Sequence, residues 1–213
     1  MPDPQGAVVA LDVDGVLLDF EAFFQKILAA VVQRPVYIAQ ANYDLRTRYD
    51  VTPDEAEKAI ERLARQRWSQ IPAEPGAQAG YQRLVSDGYR PVAITGIDPA
   101  RHDERMENLE ALGMPVERLI CTGGPGVSKA QALRQVAPAW FVDDRLVHLA
   151  EAEQAGLQSA GWVYRRDYQE PLARVDQLFQ GRLFRGLTLD ALTLAFQKRG
   201  SIKAATGSGD VAS

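Results

Sequence analysis

Short runs of consecutive apolar residues alternate along the chain with longer segments in which apolar residues recur at helical spacing. A run that is apolar at nearly every position is typical of a strand buried on both faces of a sheet. Such runs predict five strands, at residues 7–13, 90–95, 118–122, 139–143 and 159–163.

Helical segments separate the last four of these runs. Asp98-Pro99 begins the first segment and Gly113 ends it, because proline suits the first helical turn and glycine the position after the last. Ser128 and Gln131 form a capping box for the next helix. Strands that alternate with helices of this length indicate βαβ units. The predicted fold is therefore α/β, with a doubly wound, mainly parallel, Rossmann-like sheet.

The segment between the first two strands is longer than a crossover requires. It holds roughly 75 residues, where a parallel crossover needs only about a dozen. Thr52 and Glu55 form a capping box around Pro53, and apolar residues recur behind them at helical spacing as far as Trp68, before Pro72. Residues 22–74 are therefore predicted to form a small helical cap, inserted after the first strand and lying above the sheet.

The C-terminal part of the chain follows a different pattern. Two more helices are predicted, at residues 171–179 and 188–198, within an extension of residues 166–199. Residues 200–213 are small, polar and rich in Gly and Ser, which predicts a disordered tail. The α/β core domain is predicted to comprise residues 7–21 and 75–165.

Composition is that of an ordinary globular protein. Of the 213 residues, 46% are hydrophobic and 24% are charged, which excludes a wholly disordered or collagen-like chain. The chain has no apolar run of about 18 residues, no secretory signal pattern at its N-terminus, and a single cysteine, Cys121. We therefore expect a cytoplasmic location and no membrane partner. The net charge of −4 argues against a nucleic-acid polymer as partner.

The main chemical signal follows directly on the first predicted strand. Asp12 and Asp14 lie two residues apart at its C-terminal end, where parallel α/β sheets bind ligands, and Gly15 permits a sharp turn. A calcium loop would need an acid at its fifth position and glycine at its sixth, where this chain has Val16 and Leu17. A solvated acidic turn is disfavoured, because unpaired charge beside an apolar strand is costly.

Polar residues also occur at later strand ends and at a helix start. Thr95-Gly96 ends the second strand, and Lys129 begins a helix, where a bound anion would suit both the cation and the helix dipole. Asp143 and Asp144 end the fourth strand, and neighbouring acids repel each other unless a cation or hydrogen-bond donors stabilise them. Four carboxylates at two strand ends suit Mg²⁺, which is therefore the predicted cofactor.

Taken in order, Asp-x-Asp, Thr, Lys and Asp-Asp resemble the motifs of the haloacid dehalogenase superfamily of phosphohydrolases, over about residues 7–163. The resemblance implies a Mg²⁺-dependent phosphomonoesterase that works through an aspartyl-phosphate. Asp12 would be the nucleophile and Asp14 the general acid and then the general base, while Thr95 and Lys129 would hold the phosphoryl oxygens. The metal ligands that the resemblance implies are Asp12, the backbone carbonyl of Asp14, and Asp143 or Asp144.

The same resemblance bears on the substrate. An acid at the position of Asp14 is found in phosphate-transferring members and not in dehalogenases, and a helical cap favours a small phosphorylated substrate. Residues 12–21 resemble the opening of the 5′-deoxyribonucleotidase branch, in which an aromatic residue at the position of Phe20 helps to form the base pocket. A nucleoside 5′-monophosphate is therefore one candidate substrate. The candidate substrate contacts are Phe20, Trp68 and Gly96, with Tyr43 and Tyr49 as further aromatic residues.

Other functions remain open at this stage. A sugar-phosphate phosphatase or a phosphomutase would use the same motifs, and the sequence does not separate water from a sugar hydroxyl as the phosphoryl acceptor. A non-catalytic binding module of the same fold is a further alternative, against which the intact motifs argue. His102 and His148 are predicted to lie on helices away from the motifs and to have no catalytic function.

Overall fold

A computed structural model describes residues 6–124, 126–165 and 178–206, with side chains up to residue 197. Its centre is a sheet of six parallel strands. The strands are β1 (Val8–Leu11), β2 (Arg90–Thr95), β3 (Arg118–Cys121), β4 (Trp140–Asp143), β5 (Ser159–Val163) and β6 (Arg182–Gly186). Their order across the sheet is β3-β2-β1-β4-β5-β6, which is that of a doubly wound Rossmann-like sheet and confirms the predicted fold class.

The sixth strand corrects the expectation that the extension after residue 165 is only helical. It pairs with β5 along its whole length, from Arg182 beside Ser159 to Gly186 beside Val163. Arg185 is exposed and Arg182 is half-buried, so this strand lacks the consecutive apolar residues of a buried one. The helix predicted at residues 171–179 lies almost entirely outside the described residues.

The described residues form eight helices around the sheet. They are α1 (Phe20–Val32), α2 (Leu45–Arg48), α3 (Pro53–Leu63), α4 (Ala77–Ser86), α5 (His102–Ala111), α6 (Ala130–Val136), α7 (Leu146–Gln154) and α8 (Leu189–Thr206). Helix α8 continues past Gly200, so residues 200–206 are helical where the sequence predicted disorder. Gly80 lets α8 approach α4, because a Cβ atom there would lie 2.7 Å from the backbone nitrogen of Asp190. No helix in the described part of the chain is both long enough and apolar enough to cross a membrane.

The sheet is covered on both faces. Val9 and Leu11 of β1 enter one apolar cluster, while Ala10 between them enters another, as the period of two along a strand requires. All three side chains are fully buried. Because β1 is held from both sides, the residue that follows it, Asp12, has a fixed position.

Helices α1, α2 and α3 lie between β1 and β2, in the segment for which a cap was predicted and which keeps that name, and they have an apolar cluster of their own. Its buried members are Phe24, Ile27, Leu28, Val36, Tyr49, Ala59 and Leu63. The predicted capping box forms, since Thr52 Oγ1 accepts from the Glu55 backbone and the Glu55 carboxylate accepts from the Thr52 backbone. However, α3 ends at Leu63 instead of continuing to Trp68, which begins a separate 3₁₀ turn over Trp68–Gln70.

The two chain segments that join this helical unit to the sheet are bonded to each other. The Asp19 backbone nitrogen donates to the Pro72 carbonyl over 2.8 Å, and the Glu74 nitrogen donates to the Leu17 carbonyl over 2.9 Å. Gly15 makes the turn out of β1 with a φ of 86°, in the left-handed region that favours glycine. Both connections therefore leave the sheet side by side, above the end of β1.

Candidate active site

The predicted site residues come together around one cavity of about 500 Å³ at the carboxyl ends of β1, β2 and β4. Parallel sheets place their ligand sites at this edge, because all strand ends point the same way. The residues from the sequence prediction that line the cavity are Asp12, Asp14, Phe20, Trp68, Thr95, Gly96, Lys129 and Asp144. Asp143 does not line the cavity, and it contacts this group through Lys129.

Lys129 is fully buried between two carboxylates. Its Nζ lies 2.7 Å from Asp12 Oδ1 and 2.8 Å from Asp143 Oδ2. Burial would lower the pKa of the ammonium group, but the two acids overcome it and raise the pKa above its usual value. The predicted capping box is displaced, since Lys129 itself is the N-cap of α6 and Ser128 Oγ accepts from the Ala130 nitrogen over 3.1 Å. The lysine is a permanent cation inside the site.

Among the described residues, the Asp12 carboxylate forms its contacts through one of its two oxygens. Oδ1 accepts from the Val13 backbone nitrogen over 2.7 Å and lies at the same distance from Lys129 Nζ. Burial and the neighbouring Asp143 raise the pKa of Asp12 to about 6, although Lys129 and His148 pull it down. Asp12 is thus a poorly solvated acid whose second oxygen, Oδ2, is left for a ligand.

The acids that follow β4 behave in opposite ways. Burial would raise the pKa of Asp143, but His148 and Lys129 overcome it and hold the pKa below its usual range. Burial, together with the charges of Asp143 and Asp12, raises the pKa of Asp144 well above its usual value. The raised pKa of Asp144 shows that Lys129 does not neutralise all the carboxylates at this edge. A bound cation would neutralise the remaining negative charge.

His148 is a site residue that the sequence prediction missed. Its Nδ1 lies 3.0 Å from both carboxylate oxygens of Asp143, which corrects the expectation that this histidine lies away from the motifs. One ligand atom each from Asp12, Asp143 and His148 fall within 4.8 Å of one another, and Asp144 adds a further acid to the cavity lining. This donor set consists mainly of carboxylate oxygens, which fit a hard divalent cation such as Mg²⁺. His148 lies on α7, the helix that begins just after the Asp143-Asp144 pair, but no local pattern in the sequence marks it as a site residue.

Asp14 lies in a different environment from Asp12. Its partner is Arg105 of α5, whose Nη2 lies 3.0 Å from Oδ1 and 3.1 Å from Oδ2. Burial raises the pKa of Asp14, and Arg105 and Lys129 act against that rise. Arg105 is fully buried, and nothing in the sequence separates it from the other charged residues of its helix. The two acids of the Asp-x-Asp motif thus have separate cationic partners.

Thr95 ends β2 with a fully buried side chain that lines the cavity. Its hydroxyl oxygen has no hydrogen-bond partner among the described residues. A buried hydroxyl without a partner is costly, so it is suited to a ligand oxygen. Gly96 follows it in the cavity wall.

The cap side of the cavity presents aromatic and aliphatic side chains, together with the charged residues Asp44 and Arg46. The rings of Phe20 and Trp68 lie tilted against each other with centroids 6.0 Å apart. Leu45, Ile60 and Leu63 extend this wall. Tyr43 also lines the cavity, whereas Tyr49 is buried inside the cap and donates to Glu21. The Glu21 carboxylate also pairs with the buried Arg48, so the charges of this pair are used within the cap.

Comparisons with known proteins support the fold. No protein-family model matches the sequence, and no curated protein matches it either. Solved structures do match. A haloacid dehalogenase family hydrolase from Deinococcus radiodurans R1, with bound phosphate and sodium, has a TM-score of 0.62 and 17% identity, over 93% of this chain and 98% of that chain.

Two further structures show the range of proteins that share this architecture. A conserved haloacid dehalogenase-like protein of unknown function from Agrobacterium tumefaciens str. C58 has a TM-score of 0.62 and 12% identity, over 92% of this chain and 100% of that chain. An L-2-haloacid dehalogenase from Xanthobacter autotrophicus, with chloropropionic acid covalently bound, has a TM-score of 0.54 and 13% identity, over 91% and 99% of the two chains. The sheet order, the motif residues at its carboxyl edge and these neighbours agree: the chain has the haloacid dehalogenase-like fold.

Proposed function

We propose that this chain is a divalent-metal-dependent phosphomonoesterase that acts on a small phosphorylated substrate through an aspartyl-phosphate. The observation that carries the proposal is that the two motif acids, at one end of the cavity, have different cationic partners. Asp12 pairs with Lys129, whereas Asp14 pairs with Arg105. Two carboxylates held in different environments are the usual basis for dividing nucleophilic and acid–base work.

In the first step, Asp12 Oδ2 forms a bond to phosphorus while the bond from phosphorus to the leaving-group oxygen breaks. That oxygen keeps the bonding electron pair and takes a proton from Asp14. In the second step, Asp14 takes a proton from water as the water oxygen bonds to phosphorus. The bond between Asp12 and phosphorus then breaks, which releases inorganic phosphate and restores the carboxylate.

The remaining motif residues would contact the phosphoryl oxygens. The Thr95 hydroxyl can donate to one oxygen, and Lys129 has a third N–H beyond the two that face Asp12 and Asp143. Mg²⁺ would supply further neutralisation of phosphoryl charge when bound. Its proposed ligands are Asp12, the backbone carbonyl of Asp14, and Asp143 or Asp144.

The presence of Asp14 favours phosphate chemistry over dehalogenation. A halide leaves as an anion and needs no proton, whereas an alkoxide leaving group does. Here an acid with a raised pKa lines the cavity two residues from the nucleophile, with a buried cation holding it. That arrangement has a use in phosphomonoester cleavage and none in displacing a halide.

The cap wall supports a substrate with an apolar or aromatic part, such as a nucleoside 5′-monophosphate. Phe20 and Trp68 offer ring faces or edges to the cavity, and Leu45 and Ile60 lie beside them. Closure of a cap over such a pocket would exclude water from the reaction.

The test is a phosphate-release screen in Mg²⁺ against nucleoside monophosphates, sugar phosphates and aryl phosphates. Wild-type turnover that is lost in EDTA and in Asp12→Asn supports the proposal, and Asp103→Asn, at an exposed site, should keep full activity. Product analysis separates hydrolysis from transfer to a sugar hydroxyl. Folded wild-type protein that is inactive on all three classes, or full activity in Asp12→Asn, would overturn the proposal.

A further inference from the structure

Arg105 is a buried cation that packing does not explain. Its side chain is 0% exposed, and two of its nitrogens, Nε and Nη1, have no hydrogen-bond partner within the part of the chain that the structure describes. Burying a guanidinium group with unsatisfied N–H groups is costly. An apolar side chain of similar volume would fill this place in α5 at lower cost, so the charge itself has a use.

That charge faces Asp14. Arg105 Nη2 lies about equally far from both carboxylate oxygens, at 3.0 Å and 3.1 Å. Among the described residues, no other side chain forms a hydrogen bond or an ion pair with this carboxylate. The Asp14 side chain is 27% exposed in the cavity. Without Arg105 it would be free to change rotamer.

Arg105 is itself held in place by Trp68, in the segment that leads from the cap back to the sheet. Its guanidinium carbon lies 5.1 Å from the centre of the Trp68 ring. The backbone of Trp68 is tied to the same helix, because Glu104 accepts from its nitrogen over 2.7 Å and Asn108 donates to its carbonyl over 3.1 Å. Helix α5 thus fixes Arg105 against Trp68 on one side and Asp14 on the other.

We propose that Arg105 is a positioning residue that holds the Asp14 carboxyl group where it can exchange a proton with the leaving-group oxygen. The inference rests on the proposed function. Contact with one nitrogen leaves lone pairs on both Asp14 oxygens for the substrate or for water. Loss of the contact would misplace the acid, and a shift of about 1 Å in a reacting group costs about 10²-fold in rate.

The experiment compares two esters of similar shape but different leaving groups. Phenyl phosphate needs a proton on its leaving oxygen, whereas 4-nitrophenyl phosphate releases a stable phenolate without one. Single-turnover release of the phenol isolates the first step in Mg²⁺. For Arg105→Met we expect the single-turnover rate to fall by about 10²-fold on phenyl phosphate and to change little on 4-nitrophenyl phosphate. Arg105→Lys, which keeps the charge, should recover part of the loss.

Arg101→Met is the matched control. Arg101 also lies near the Trp68 ring, at 5.7 Å, and donates to the Gln66 and Ala64 carbonyls of the cap, but forms no contact with Asp14. This variant should leave the ratio of the two ester rates unchanged. Circular dichroism checks the fold of each variant, and if Arg105→Met does not fold, Arg105→Lys should show the same selective loss in weaker form.

The possible failures are distinguishable. If the folded Arg105 variants lose activity equally on both esters, or on neither, the positioning function is wrong while the proposed phosphatase activity stands. If wild-type protein cleaves no phosphomonoester, the proposed function fails and the positioning function fails with it.

Discussion

The guanidinium group of Arg145 lies over the ring of Tyr43, with its central carbon 3.4 Å from the ring centre. Tyr43 belongs to the cap, and Arg145 directly follows Asp144 at the end of β4. The contact therefore joins the two sides of the cavity next to the acids. Contacts of this kind contribute about 0.5–2 kcal/mol, more when water is excluded.

Removing the Tyr43 ring should weaken closure of the cavity. We expect Tyr43→Ala to lower kcat/KM by about 5- to 30-fold, which corresponds to about 1–2 kcal/mol. Tyr43→Phe keeps the ring face towards Arg145 and removes only the hydrogen bond between the Tyr43 hydroxyl group and Arg145, so it should lose less activity than Tyr43→Ala. Steady-state kinetics on the best substrate of the screen checks both variants, and equal losses in the two would show that the hydroxyl group and not the ring matters.

Replacing Asp12 by Asn should remove turnover without harming the fold. Because burial and Asp143 raise its pKa to about 6, the ionised form of Asp12 is less favourable in the folded protein than in the unfolded chain. The amide oxygen of Asn can still accept from the Val13 nitrogen and Lys129. In EDTA near neutral pH, we expect the melting temperature of Asp12→Asn to equal or exceed that of the wild type. A clear fall by differential scanning calorimetry would contradict this account of the Asp12 environment.

The stabilisation by Mg²⁺ should depend on pH. The folded pKa of Asp12, about 6, lies above its ordinary value of 3.8, so between these values the folded state binds more protons than the unfolded state. The contribution of Asp12 to the stability of the metal-free protein therefore falls as pH rises through this window. Since a cation needs ionised carboxylates, Mg²⁺ should raise the melting temperature more at about pH 7.5 than at about pH 5. Thermal melts with Mg²⁺ and with EDTA at both values measure this, and equal shifts would contradict it.

His148 should contribute to Mg²⁺ binding, whereas His102 should not. His148 Nδ1 contacts both oxygens of Asp143, whereas His102 contacts the exposed Asp103. Loss of a group that orients a metal-binding acid typically costs about 10- to 100-fold in metal affinity or activity. We expect His148→Asn to raise the Mg²⁺ concentration needed for half-maximal activity by that amount, with His102→Asn unchanged. A Mg²⁺ titration of both variants checks the difference.

The sheet and the motif acids could be predicted because their signal is local. Residues 8–11 and 140–142 are apolar at consecutive positions, as a doubly covered strand requires. Parallel strands then bring Asp12 and Asp143 to the same edge regardless of their separation along the chain. The positions of the motif residues at the ends of predicted parallel strands were therefore enough to expect that they share one site.

Arg105 and His148 could not be predicted, because their functions depend on distances that no local pattern encodes. Both lie on helices that carry other charged residues, and such residues usually face solvent. Only the packing of α5 and α7 against the strand ends decides that these two face acids. Strand β6 was missed for a related reason, since an edge strand with one exposed face does not need consecutive apolar residues.

The sixth strand has a practical consequence. The resemblance to the family ends near residue 163, and a protein shortened to that point would leave β5 as a bare sheet edge. Its peptide groups would then be open to pairing with a second molecule along residues 159–163. Trp140 would also lose the stacked ring of Phe196, now 4.4 Å away, and the edge contact of Phe184. We expect such a shortened protein to aggregate through this edge even though every motif residue is retained.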